Sequence, residues 1–189
     1  MTRLILITHP AVEIDPSKPV DQWIVSKEGW EEVRRLIRKP VWKDVDVIYS
    51  SNERKALSVA EEITAGNINI KFPIPFGNDF LREIDRSSTQ YVKDYEQAIQ
   101  QFYAMPQKSY KGWETATDAT IRITSVLPEM MKEHVGKTVV IISHGAIGTL
   151  LICWLKGINP TIEEDPKKQG CMIDIDWDNK RLLSEWIKY

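Results

Sequence analysis

Two apolar runs in the sequence each lead directly into a histidine. Arg3–Thr8 is a continuous, mostly β-branched run followed by His9, and Thr138–Ile142 is a similar run followed by Ser143 and His144. Uninterrupted apolar runs of this length are typical of strands buried on both faces of a parallel sheet. Because ligands bind beyond the carboxyl ends of such strands, the pattern predicts one site to which both histidines contribute.

Helical patterns alternate with short strands in the first half of the chain. One helix is predicted to follow Ser26, which can cap its N-terminus, and a second to follow the short strand Val45–Tyr49. A further strand is predicted between Ile68 and Phe76. Because strands alternate with helices, we expect an α/β fold, a three-layer α/β/α sandwich around a mostly parallel sheet.

The second half of the sequence begins with a polar segment and then returns to apolar elements. Its predicted elements are the helices Gln90–Ala104, Trp113–Glu133 and Ala146–Leu155 and a C-terminal hairpin of Cys171–Asp176 and Arg181–Ile187. The hairpin would form an antiparallel edge of the sheet. A chain of 189 residues has the size of one domain, so we expect a single domain, residues 1–189, with a helical insertion at about 77–112.

Composition argues against several classes of function. With 25 basic and 27 acidic residues the formal charge is −2, so no basic surface for nucleic acid is expected. Cys153 and Cys171 lack the paired spacing of a zinc site and are predicted to be buried and reduced. The longest mostly apolar stretch, Ala146–Leu155, is about half of what spanning a bilayer requires. We expect a cytoplasmic monomer or homodimer without a membrane partner.

A cation and a carboxyl group are predicted close to the two histidines. Arg54 lies in the first turn of the helix after the second strand, and its guanidinium would project into the same crevice. Two imidazoles and an arginine beside helix N-termini suit a phosphoryl group. A neutral imidazole can attack phosphorus, and Glu83, whose pKa burial would raise, is the candidate acid for the leaving oxygen. The alternatives to Glu83 are Asp79, Asp85 and Glu114.

Six short segments carry a resemblance to a known family. They are Thr8–Pro10, Ser26–Gly29, Ser50–Ala56, Leu81–Ile84, Gly112–Glu114 and Ser143–Gly145. In this order they resemble the motifs of the histidine phosphatase superfamily, also called the phosphoglycerate mutase-like family. The resemblance covers most of the chain and implies the α/β fold of that family.

The resemblance implies a hydrolase that forms a phosphohistidine at His9 and acts on a small phosphorylated substrate. Glu83 would be the general acid and base, and His144 would grip the phosphoryl oxygens together with Arg54. The remaining phosphate-binding positions would be Thr8, Ser51 and Gly145. No metal and no cofactor are implied. Phosphoglycerate mutase activity ranks second, because the insertion is short.

The first motif departs from the family pattern on both sides of the histidine. Thr8 and Pro10 stand where the family has arginine and glycine. Losing the arginine removes a cation, and the loss of one such donor lowers kcat by roughly 10²–10³. Pro10 also has no backbone N–H to offer a phosphate. We hypothesise that a cation from elsewhere compensates; the candidates are Arg82, Arg86 and Lys18.

Two alternatives from other classes stay open at this point. The altered first motif favours a degenerate, non-catalytic member that binds a phosphorylated ligand or a protein partner. A metallohydrolase using His9 and His144 as ligands would need further histidines or clustered carboxylates, which the motifs do not provide.

Overall fold

A mixed β-sheet forms the centre of the computed structural model, which describes residues 1–66, 70, 77–86 and 91–189. The strands are β1 (Arg3–Thr8), β2 (Val47–Ser50), β3 (Thr138–Ser143), β4 (Cys171–Asp176), β5 (Arg181–Leu182) and β6 (Ile187–Lys188). They are ordered β2-β3-β1-β4-β5, and β6 also pairs with β4. β1, β2 and β3 are parallel, whereas β4 runs antiparallel to β1. The predicted fold class is therefore confirmed.

Helices cover both faces of this sheet. They are α1 (Lys27–Ile37), α2 (Arg54–Ala65), α3 (Tyr95–Ala104), α4 (Ala116–Lys132) and α5 (Gly145–Lys156). Ser26 caps α1 as predicted, since its hydroxyl accepts a hydrogen bond from the Gly29 backbone N–H at 3.0 Å. α4 begins later than the predicted Trp113, because Thr115 caps it by accepting from the Asp118 N–H. Gln90, the predicted start of α3, lies outside the described residues.

Two apolar cores lie on opposite faces of the sheet, as the alternation of β1 requires. Leu4 and Leu6 are buried in the core that contains the apolar residues of α3, α4 and α5. Ile5 and Ile7 are buried in the other core, with those of α1 and α2. Each such side chain contributes about 1.5–3 kcal/mol by leaving water. The continuous apolar run in β1 is explained by burial on both faces.

The C-terminal hairpin differs from the sequence prediction in one respect. The predicted strand Arg181–Ile187 is split into β5 and β6, because the Ser184 hydroxyl accepts the Asp174 backbone N–H at 3.1 Å and Trp186 donates to the Glu164 carbonyl at 2.8 Å. The strand predicted between Ile68 and Phe76 falls largely outside the described residues. None of the helices in the described part of the chain combines the length and apolar composition needed to cross a bilayer.

Candidate active site

His9 lies immediately beyond β1 and is held by two backbone carbonyls. Its N–H donates to the Ser143 carbonyl at 2.9 Å, and its ring Nδ1 lies 2.8 Å from the Pro10 carbonyl oxygen. Because a carbonyl can only accept, Nδ1 carries the ring proton and Nε2 keeps its lone pair. Burial, and then the charge of Lys55, lowers the pKa of His9 well below 6.5. The ring is therefore neutral at neutral pH, as a nucleophile requires.

His144 lies at the matching position beyond β3 and packs edge-on against His9. The two ring centroids are 5.3 Å apart with an interplanar angle of 63°. Nε2 of His144 is 2.9 Å from the Ser51 hydroxyl and 3.5 Å from the Glu53 carboxylate. Burial and then the charge of Lys55 lower the pKa of His144 well below 6.5. Nδ1 is buried and has no hydrogen-bond partner among the described residues, and His144 lies behind the cavity wall rather than in its lining.

The buried cation beside the histidines is Lys55 and not Arg54. The Lys55 side chain is 2% exposed and lines a cavity of about 330 Å³ together with His9 and Glu83. Arg54 is exposed and lines an adjoining cleft, which Glu83 also borders. Successive helical residues point about 100° apart, so the first turn of α2 directs only one of the two inward. The Lys55 ammonium donates to the Val20 carbonyl at 2.9 Å.

Glu53 brings a carboxylate into the site that the sequence analysis missed. It is the N-cap residue of α2, but its side chain makes no capping bond to that helix. The carboxylate pairs with Lys55, and its Oε1 accepts the Glu83 backbone N–H at 2.6 Å. The Ser51 hydroxyl instead accepts the Glu53 N–H at 3.2 Å. An acidic residue next to a helix start is ordinarily solvated, so no sequence signal pointed to this role.

Glu83 is positioned to act as an acid in neutral solution. It borders both the cavity that contains His9 and the adjoining cleft, and its Oε1 accepts the Ile84 N–H at 2.9 Å. Burial raises the pKa of Glu83 to about 7, with the Arg86 charge lowering it and the Glu53 charge raising it. The expectation that burial raises this pKa towards neutrality agrees with that value.

Arg122 fixes the loop that carries Glu83. Its guanidinium donates to the backbone carbonyls of Phe80, Arg82 and Glu83 at 2.8, 3.1 and 3.3 Å. The same group forms two 2.8 Å hydrogen bonds to Glu114. Glu114, an alternative acid in the sequence analysis, is therefore occupied in holding this loop.

We expect Arg122→Met to lower the free energy of unfolding by about 3 kcal/mol, because it removes one partner of a buried charge pair. Urea denaturation measures this loss. Arg34→Met is the matched control: the Arg34–Glu31 pair is exposed, so its loss is expected to cost less than about 0.5 kcal/mol. Equal losses in both variants would show that Arg122 does not stabilise the loop.

The other predicted phosphate-binding positions, Gly145, Ser51 and Thr8, differ in their surroundings. Gly145 lines the cavity at the N-terminus of α5, where helix N–H groups have no intrahelical partner. Ser51 is buried and binds His144. Thr8 lines the cavity, but its hydroxyl accepts the Cys171 N–H at 2.9 Å and lies 3.3 Å from the Cys171 carbonyl. That hydroxyl is engaged with β4 and does not replace an arginine.

Among the three hypothesised replacement cations, Arg86 alone lines the cavity with His9. It lies over the rings of Tyr95 and Trp113, at 5.1 and 5.4 Å from the ring centroids. Arg82 borders the adjoining cleft and pairs with Asp79 and Glu114. The exposed Lys18 pairs with Asp15.

Aromatic, aliphatic and charged side chains form the rest of the cavity wall around His9. Its outer lining consists of Val12, Ile14, Val20, Trp23, Tyr91, Val92, Lys93, Tyr95, Asp165, Pro166, Lys167, Lys168 and Gln169. A phosphoryl group bound at His9 would therefore leave space for an organic group of modest size. No group of three or more potential metal ligands occurs in the described part of the chain.

Comparison with known proteins agrees with this geometry. The profile of the histidine phosphatase superfamily (branch 1) matches residues 24–186, and the chain belongs to that superfamily. The matched span begins after Thr8–Pro10, the segment in which the sequence departs from the family pattern.

Similar proteins are phosphatases or share the fold. Phosphoserine phosphatase 1 of Hydrogenobacter thermophilus is 25% identical over 170 residues, covering 84% of this chain and 78% of that protein. The structure of Bacillus stearothermophilus YhfR superposes with a TM-score of 0.80 at 20% identity over 98% of this chain and 96% of that chain. Phosphoserine phosphatase from Entamoeba histolytica, in complex with 3-phosphoglyceric acid, gives 0.78 at 20% identity, covering 100% and 98%.

Proposed function

We propose that the protein hydrolyses small phosphomonoesters through a phosphohistidine at His9. The observation that carries the proposal is the His9 ring itself: its pKa is lowered, its Nδ1 proton points at the Pro10 carbonyl, and no hydrogen bond to a described residue occupies its Nε2. Proline at position 10 therefore does not prevent the backbone contact that orients the His9 ring. It supplies the carbonyl that fixes the ring tautomer.

The surrounding groups suit the charge that develops on a transferring phosphoryl group. Lys55, Arg86 and the amides at the start of α5 line the cavity around His9. Positive groups fixed in a largely buried cavity stabilise equatorial phosphoryl oxygens more strongly than they would in water.

The proposed hydrolysis has two steps, transfer of the phosphoryl group to His9 and hydrolysis of the phosphohistidine. In the first, His9 Nε2 forms a bond to phosphorus, the ester P–O bond breaks, and Glu83 gives its proton to the leaving oxygen. In the second, water attacks the phosphorus atom of the phosphohistidine, the P–N bond to His9 breaks, and the water proton passes to the Glu83 carboxylate. Inorganic phosphate leaves, and His9 and Glu83 regain their starting forms. The first step requires protonated Glu83 and neutral His9, and the pKa values of the two residues provide both forms near pH 7.

Wild-type turnover is expected to fall as the pH rises above about 7, since Glu83 then loses the proton it must donate. Glu83→Gln is expected to lose this alkaline limb and to lower kcat by roughly 10²–10⁴. The loss should be larger for glycerol 2-phosphate than for 4-nitrophenyl phosphate, because an alkoxide needs protonation more than a nitrophenolate does. Initial rates on both esters over a range of pH measure these effects.

Two outcomes would contradict the proposal. Equal losses on the two esters would mean that Glu83 does not protonate the leaving group. Absence of wild-type turnover, together with binding of inorganic phosphate in calorimetry, would favour a phosphate-binding member of the superfamily without catalysis.

A further inference from the structure

Several cations around Glu83 oppose its role as an acid. The charges of Arg86 and Lys55 both lower its pKa. Arg82 and Arg122 donate to its backbone carbonyl at 3.4 and 3.3 Å. The positive charge that favours binding of a phosphoryl group therefore also favours ionisation of Glu83, the residue that must donate a proton.

Arg82 and Arg122 are themselves paired with Glu114, and Asp165 lines the outer part of the cavity. The histidines and tyrosines next to Glu83 add no negative charge. The pKa values of His9 and His144 are lowered, so both rings are neutral. Burial raises the pKa of Tyr95 and of Tyr103, so both phenols keep their protons. Within the described part of the chain, the negative charge that raises the pKa of Glu83 comes from Glu53.

We propose that Glu53 is a positioning residue for the reaction, whose buried negative charge, between Lys55 and the backbone of Glu83, keeps the Glu83 carboxyl in the protonated form. The inference rests on the proposed function, since protonated Glu83 matters only if it donates a proton. The Glu53 side chain does not cap the helix that it precedes. Its carboxylate instead contacts Lys55, His144 and the Glu83 N–H.

Glu53→Gln removes the negative charge of this side chain while keeping its size and shape. The Gln amide oxygen can still accept the Glu83 N–H, so the hydrogen bond at Oε1 is retained while the charge is lost. Removing a negative charge this close to Glu83 shifts its equilibrium towards the ionised form. We expect the pKa of Glu83 to fall by about one unit, and the alkaline limb of turnover to move to lower pH by the same amount.

The pKa of Glu83 is read in two independent ways. In ¹³C NMR of protein labelled at the glutamate carboxyls, the Glu83 resonance is the one that Glu83→Gln removes, and its titration is followed in wild type and Glu53→Gln. The pH profile of 4-nitrophenyl phosphate hydrolysis is measured on the same samples. Glu61→Gln, an exposed acid on the same helix, is the matched control and is expected to leave both readings unchanged.

The outcomes distinguish this inference from the proposed function. An unchanged Glu83 titration in Glu53→Gln overturns the inference even when turnover is normal. A shifted titration in a protein without turnover supports the charge effect and rejects the catalytic proposal. If Glu53→Gln does not fold, Lys55→Met is compared with Lys55→Met/Glu53→Gln, which buries no unpaired charge. The double variant should titrate about one unit lower than the single, and equal values would overturn the inference.

Discussion

His9→Asn is expected to lower kcat for 4-nitrophenyl phosphate by roughly 10⁴-fold or more, because it removes the nucleophile while leaving its support in place. The Asn side-chain amide can still donate to the Pro10 carbonyl, as Nδ1 of His9 does. It has no atom at the position of Nε2. Steady-state rates measure the loss, and circular dichroism checks that the fold is retained.

The covalent intermediate provides a direct test of the same prediction. Wild-type protein quenched in alkali during turnover should carry the mass of one phosphoryl group on the peptide that contains His9, and His9→Asn should carry none. His134→Asn is the control, since His134 is also largely buried, but its Nε2 lies 2.7 Å from the Tyr49 hydroxyl and it lines neither the cavity nor the adjoining cleft. Retention of turnover in His9→Asn, or loss of it in His134→Asn alone, would reject His9 as the nucleophile.

The fold could be predicted because its signals are local. The apolar runs of β1 and β3, and a capping serine before α1, each define an element within a few residues. The two histidines follow from the same reasoning, because parallel strands that end side by side bring the next residues together. The pairing of Thr8 with Ser143 in the sheet register, one step before each histidine-bearing loop, accounts for their proximity.

The charged residues of the site could not be predicted in the same way. Whether Arg54 or Lys55 points inward depends on where α2 begins, and an error of one residue turns the side chain by about 100°. The Thr8 hydroxyl accepts a hydrogen bond from the backbone N–H of Cys171, which is 163 positions away in the sequence. Such contacts form only when the sheet is assembled, so the local sequence pattern does not predict them.

Pro10 still orients the nucleophile through its backbone carbonyl, although it offers no N–H to a phosphate. The loss of its N–H was expected to remove a contact to phosphate. In the structure the Pro10 carbonyl accepts from His9 Nδ1 and fixes the ring. Because proline restricts its own φ and the conformation of the preceding residue, the substitution stiffens the turn that presents the nucleophile.

Lys55→Met is expected to lower kcat by roughly 10²–10³, because the buried cation that would face the phosphoryl oxygens is lost. Arg54→Met, one residue away in the first turn of α2, is the matched control and is expected to change kcat by less than about threefold, since an exposed side chain outside the cavity contributes little. Steady-state rates with 4-nitrophenyl phosphate measure both. An equal or larger loss in Arg54→Met would mean that Arg54 is the cation that binds phosphate.

Stability separates the chemical role of Lys55 from its structural one. Lys55→Met leaves the Glu53 carboxylate buried without its partner, so the free energy of unfolding should fall by about 3 kcal/mol. Lys55→Met/Glu53→Gln removes both charges and should regain most of that stability, because no buried ion is left unpaired. If Lys55 binds the phosphoryl group, the double variant regains stability without regaining turnover, even at a pH below the alkaline limb, where the loss of Glu53 does not deprotonate Glu83. Recovery of both would show that the lysine only neutralises Glu53, and the phosphoryl charge would then have to be met by Arg86 and the N-terminus of α5.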